Sequence, residues 1–317
     1  IEETEVATRN ITVDTSALVR RSLEGKKINW FDQFVAIALL VSLLSGLLIL
    51  ATLLVSVFSS GFSVLADRGF DFITSRLSPD AADAGIFQAI IGSLILTGFV
   101  IVVAFPLGVG AAVYLEEYAP DTKTTRFIDA NIRNLAGVPS IVYGLLGLAV
   151  FVKLMGGFTG GRTLVTGGLT LAVLVLPIMI ITTAEALRAV PQELREASMG
   201  VGATKWETIR HHVLPVALPA IFTGAVLTIA RAFGESAPLL LAGAVLSLFF
   251  SNSADAGIGE YLVDEPYTAM PIVIYNWARQ PQQEFVALTS AAIIVFLVFL
   301  LTVNGVAIIL RDRYERK

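Results

Sequence analysis

Apolar residues in this chain fall in long uninterrupted runs, separated by short segments that hold nearly all the charge. A hydrocarbon layer about 30 Å thick needs about 20 apolar residues to cross it as a helix. Residues 34–58 and 86–115 carry no charge at all, the second run containing Pro106. Further apolar stretches cover 135–155, 164–187 and 285–310. The remaining one, 213–250, contains Arg231, Glu235 and Pro238. As a straight helix it would be about 57 Å long, too much for one crossing.

Basic residues decide how that stretch crosses. If 213–250 crosses once, broken at Pro238, there are six spans and both termini lie on one side. That side then holds 16 basic residues against five on the other, with Arg231 inside the span. The bias agrees with the preference of Lys and Arg for the cytoplasmic face. Two crossings would strand Arg311, Arg313, Arg316 and Lys317 on the opposite side and leave spans too short. The pattern therefore predicts an all-α membrane protein with six transmembrane helices. A cytoplasmic arm (1–33) precedes the transmembrane domain (34–310), a loop at 188–212 joins spans four and five, and a cytoplasmic tail follows (311–317). The six acidic residues of the arm do not suit a signal peptide.

Composition agrees. Only 15% of the 317 residues are charged and 55% are hydrophobic, whereas soluble domains carry roughly 25% charge. Mean hydropathy is +0.77. With no cysteine, disulfides, thiolate metal sites and cysteine nucleophiles are excluded. The two histidines, His211 and His212, are adjacent and have no carboxylate at metal spacing, so interfacial placement fits them better than a metal site, and no metal is expected. A net charge of −4 argues against nucleic-acid binding.

Several short matches dissolve in context. Residues 156–163, GGFTGGRT, mimic a phosphate-binding loop but fall in a short turn between two spans, not between a strand and a helix. Asn10-Ile11-Thr12 has the form of a glycosylation acceptor, yet a cytoplasmic arm never meets that machinery. No nucleophile elbow, catalytic carboxylate pair or dinucleotide fingerprint occurs, so no catalytic residue is assigned.

The 188–212 loop is more informative. Pro191 suits a helix start, 192–199 is a good helix former, and Gly200 and Gly202 suit its end. Thr204 with Glu207 then forms a capping-box pattern, opening a second short helix toward Leu214-Pro215. Such a pair can dock into a partner's groove, or be an ordinary loop with two amphipathic turns. A DNA-reading helix-turn-helix is disfavoured, because four acidic residues balance four basic ones between 185 and 212.

Glu196-Ala197-Ser198, then Gly202, then Val213-Leu214-Pro215, resembles the EAA loop of ABC-importer permeases. Ser198 stands where that family has Ala, and His212 where it has an aliphatic residue. Residues 136–144 (AGVPSIVYG), 231–240 (RAFGESAPLL), 274–278 (IYNWA) with Pro281-Gln282, and 304–313 are similar to phosphate-importer permeases of the PstA type. With the loop, the likeness covers roughly 86–313 and is looser toward the N-terminus. It implies an importer permease of the type I kind in the plasma (inner) membrane, translocating inorganic phosphate. It implies a heterodimer with a sister permease, two ATPase subunits that bind the ATP and Mg, and an external phosphate-binding protein. This chain would bind no cofactor itself. Glu196, Ala197, Gly200, Gly202 and Thr204 would couple it to the ATPase.

Arg231 and Glu235 carry the remaining chemistry. A charge at membrane depth costs about 2.5–3.5 kcal/mol on insertion scales and usually faces a cavity or a partner. The two share a helix face at i, i+4 spacing. Pro238 cannot donate to the carbonyl of Gly234, which favours a broken helix of the kind that lines translocation paths. The arginine fork suits phosphate oxygens. A carboxylate would repel the anion, so Glu235 is assigned the orientation and neutralisation of Arg231 when the path is empty. A salt bridge that only holds helices together stays open as an alternative. So do a permease for another oxyanion or small solute, and a secondary transporter, although the latter would have no use for the 188–212 loop. The outer loops hold nine acidic against five basic residues, so they would not steer a free anion; delivery by a docked binding protein removes that need.

Overall fold

The computed structural model describes residues 30–245 and 266–315. All regular elements among them are helical. The chain divides into two compact units, 1–55 and 56–317. The described part of the first is the start of helix α1 (Trp30–Arg68), whose side chains are exposed on every face from Trp30 to Val55.

The rest of the molecule is built around one central helix. In chain order the elements are α2 (Phe70–Thr74), α3 (Phe87–Val113), α4 (Lys123–Ala136), α5 (Ser140–Gly147), α6 (Gly156–Thr159), α7 (Leu164–Arg188), α8 (Gln192–Gly200), α9 (Lys205–Thr208), α10 (Leu214–Gly234), α11 (Ala237–Ala242), α12 (Met270–Trp277) and α13 (Gln283–Glu315). Wider π-helical turns extend α3 (Tyr114–Tyr118) and α5 (Leu148–Leu154) and join α9 to α10 (Ile209–Val213). Helix α7 is the most buried long helix, and its neighbours share two apolar cores along its length. Leu164, Leu171, Leu174 and Val175 belong to one core with Leu96 and Val100 of α3 and Leu239 of α11. Met179, Ala184 and Leu187 belong to the other with Ala217 and Ile221 of α10.

Among the described residues five helices are long and apolar enough to cross a membrane, or six if the bent pair α4–α5 counts as one span. Three boundaries differ from the sequence expectation. The first apolar helix continues past 58 to Arg68, since nothing between Ser59 and Arg68 breaks a helix until Gly69, at φ 49. The span expected over 135–155 begins as a helix only at Ser140, after a bend of 101° from α4, and runs through α5 and its π-helical extension to Leu154. Gly137 caps α4, and Pro139 holds an extended ψ of 137°, so the backbone cannot run through. Helix α4 is amphipathic and opens on a Thr122 side-chain cap.

The third difference concerns the break in 213–250. It falls at Glu235–Ser236 rather than at Pro238. Proline belongs in a first turn, where its missing N–H is not needed. Pro238 accordingly sits in the first turn of α11, and α10 has already ended at Gly234. At its other end α10 has no start of its own: Lys205–Gly234 is one continuous helix of 30 residues through the π-helical turn. The second short helix of the loop is thus the root of the fifth span. Residues 246–250, and residues 1–29 of the arm with Asn10-Ile11-Thr12, lie outside the described residues.

Candidate translocation path and coupling loop

At the end of α10 the chain places two opposite charges beside a helix break. Arg231 Nε stands 3.6 Å from Glu235 Oε1, and the two side chains are 50% and 19% exposed. That separation is an ion pair but exceeds a well-formed hydrogen bond, so the guanidinium keeps donors for something else. Gly234 is the last residue of α10, and Glu235 turns to an extended backbone at φ −80°, ψ 115°. Pro238 is buried and faces α5. A Cβ on Gly144 would come within 2.7 Å of the Pro238 Cα, so only glycine admits this approach. The runs 136–144 and 231–240 therefore touch: α5 holds α11 in place below the break.

An open groove of about 860 Å³ lies between α7 and α10. Its α10 wall includes Val216, Ala220, Thr223, Gly224 and Leu227, which share a helix face with Arg231 by their three- and four-residue spacing. Thr182 and Glu185 line the α7 side. The sequence reading missed these residues. The signal is there in the sequence, as small and hydroxyl side chains repeating at helical spacing ahead of Arg231.

The second site lies at the far end of the same continuous helix, roughly 45 Å from the break at 1.5 Å per residue. Helix α8 ends at Gly200, and Gly202 adopts φ 95°, a conformation other residues rarely accept. Thr204 then builds the expected capping box. Its hydroxyl accepts from Glu207 N at 3.3 Å, and its own N–H donates to Glu207 Oε2 at 2.8 Å. Glu196, Ala197, Gly200, Gly202 and Thr204 are all exposed. Beside them stand three exposed apolar side chains, Met199, Val201 and Trp206. The loop thus presents an apolar tip with Glu196 beside it. Arg231, Gly234, Glu235 and Pro238 lie at or next to the helix break.

The Ser198 departure has a structural reason. Its hydroxyl and that of Thr208 are buried and 2.9 Å apart, tying α8 to α9. His211 and His212 are exposed. No cluster of three metal-ligating side chains occurs among the described residues. Residues 156–163 form a helix and a glycine turn, with Gly160 and Gly161 at φ 76° and 85°, and follow a helix rather than a strand. In the first turn of α4, Arg126 donates to both carboxylate oxygens of Asp121, just before the helix, at 2.7 and 3.0 Å, which holds that carboxyl below its usual range.

Two acidic residues outside the recognised motifs reach the loop. Glu116 and Glu117, in the π-helical turn that ends α3, pair with Arg188 and Arg195. Together with Pro191, Met199 and Lys205 they line a cleft of about 600 Å³ beside α8.

Residues 104–316 match the model of a family described as the binding-protein-dependent transport system inner membrane component. The chain belongs to this family. It is 33% identical over 288 residues to the phosphate transport system permease protein PstA of Yersinia pestis, covering 89% of this chain and 91% of that protein. It is 34% identical to PstA 1 of Mycobacterium tuberculosis strain H37Rv, over 74% of this chain and 71% of that one. The probable ABC transporter permease protein YqgI of Bacillus subtilis is 42% identical over 61% of this chain, a match spanning 65% of YqgI. Among solved structures, a chain of a bacterial ABC transporter involved in the import of the acidic polysaccharide alginate superposes with a TM-score of 0.60 at 14% identity, covering 89% of this chain and 96% of that one. A chain of the MetNI methionine ABC transporter gives 0.53 at 17% identity, covering 73% and 94%. The family and these folds make the chain an all-α, multi-pass membrane permease of the ABC importer kind.

Proposed function

We propose that this permease carries inorganic phosphate across the membrane together with a sister permease, driven by two ATPase subunits that bind ATP and Mg. Phosphate is delivered by an external binding protein, and both termini and the 188–212 loop face the cytoplasm, as the 16-to-5 distribution of basic residues favours. The observation that carries the substrate is the half-exposed Arg231 at the break of α10, in a chain related over most of its length to phosphate permeases.

Phosphate passes the break with its oxygens on the guanidinium fork of Arg231. Glu235 holds that fork in place and balances its charge between transport events. Gly234 and Pro238 keep the helix open there. The groove between α7 and α10 continues the route toward the loop. Glu196, Ala197, Gly200, Gly202 and Thr204 meet the ATPase, with Val201 and Trp206 supplying apolar contact. Replacing Arg231→Gln abolishes phosphate uptake by the reconstituted complex while subunits still co-purify. Uptake at the unaltered rate would refute the substrate role, and loss of assembly would make the ion pair purely structural.

A further inference from the structure

The ion pairs behind the coupling loop carry an inference of their own. Arg195 is adjacent in sequence to Glu196, but it turns inward where Glu196 is exposed. Its Nη2 donates to Glu117 Oε1 at 2.9 Å and to the Leu187 carbonyl at 2.9 Å. Its Nη1 donates to the Val190 carbonyl at 2.7 Å, and its Nε to Glu117 Oε1 at 3.2 Å. One guanidinium therefore ties together the end of α3, the end of α7 and helix α8. The Arg195 and Glu117 side chains are only 14% and 8% exposed.

Burying an ion pair is a poor way to gain stability, because desolvation consumes most of the attraction and a packed apolar pair often does as well. What the pair supplies is geometry: a planar fork on a carboxylate fixes distance and angle in a way that apolar contact does not. The glutamate comes from a π-helical turn, a feature concentrated at functional sites. Glu116, on the same turn, holds Arg188 at the end of α7, with Nε donating to Oε2 at 2.8 Å.

We propose that Glu117 and Arg195 are a positioning pair, the joint through which displacement of the coupling helix α8 reaches α3. It is a second mechanical route beside the continuous helix from Lys205 to Gly234. This deepens, and rests on, the proposal that the 188–212 loop meets the ATPase.

The test uses the full complex of both permeases, the ATPase subunits and the binding protein in proteoliposomes, reading phosphate moved per ATP hydrolysed. Glu117→Gln is expected to assemble and to hydrolyse ATP at the basal rate, with the phosphate-to-ATP ratio falling about tenfold, within the range of site-to-site coupling effects. Exchanging the charges, Glu117→Arg with Arg195→Glu, is expected to restore part of the ratio. An assembled Glu117→Gln complex with an unchanged ratio would overturn the joint. Should Glu117→Gln not assemble, Arg195→Lys, which keeps the charge and loses the fork, is read the same way, and an unchanged ratio there overturns it equally. If hydrolysis by the unaltered complex does not respond to the loaded binding protein, the coupling reading itself fails and the joint falls with it.

Discussion

Gly144 of α5 and Pro238 of α11 approach so closely that a Cβ on Gly144 would lie 2.7 Å from the Pro238 Cα and 2.9 Å from Leu241 Cδ1. The contact seats the short helix that follows the break in α10. Gly144→Ala is expected to cost about 1–3 kcal/mol through overpacking, since backbone cannot yield as a flexible side chain does. A lowered thermal midpoint of the purified complex, with reduced phosphate uptake, is the expected result. An unchanged midpoint would mean that α5 and α11 separate without penalty.

At the break itself, charge and shape are separable. Arg231→Lys keeps the positive charge and loses the planar fork, so uptake is expected to fall well below the unaltered level yet exceed that of Arg231→Gln. Glu235→Gln removes the charge that competes with the substrate. It is expected to lower the transport rate through loss of orientation while leaving the complex assembled. Uptake assays with labelled phosphate order the three variants, and equal rates for Lys and Gln at position 231 would contradict recognition by charge.

At the loop, Gly202→Val tests conformation alone. No atom lies within 4 Å of the position a Cβ would take, so the cost comes from φ 95° and amounts to about 1–2 kcal/mol. The strained turn, like Glu196→Lys, is expected to loosen the ATPase or to separate hydrolysis from transport. Co-purification and binding-protein-stimulated hydrolysis, both unchanged, would refute the coupling role of this surface.

The hydroxyl pair behind the loop offers a thermodynamic cycle. Ser198→Ala leaves the buried Thr208 hydroxyl without its partner, at an expected cost of about 1–3 kcal/mol. Adding Thr208→Val removes the orphan and is expected to recover part of that loss. Thermal melts of the single and double variants read the coupling, and strict additivity would show that the 2.9 Å contact contributes nothing.

Much of this was legible in the chain because its signals are local. The capping box of Thr204 and Glu207 is three residues wide, and a free N–H is satisfied or not within that window. The stop at Gly200 and the turn at Gly202 are equally short-range. Proline marks a helix interruption near 238 but not its exact place: here it sits in the first turn of α11, and the break falls three residues earlier, at Glu235. Apolar content alone carries the span back to 135, whereas Gly137 and Pro139 turn the backbone there and delay the helix to Ser140.

The apolar runs, the stranded charges Arg231 and Glu235 and the helix–turn–helix loop are determined by the sequence itself. The membrane acts as solvent on each segment separately, and capping is settled within one turn of backbone. Only the tertiary structure decided that Gly144 meets Pro238, that a groove runs down the Arg231 face of α10, and that Glu117 reaches Arg195 across 78 positions. Those contacts depend on how helices pack, and a carboxylate in a π-helical turn carries no local mark of the arginine it will hold.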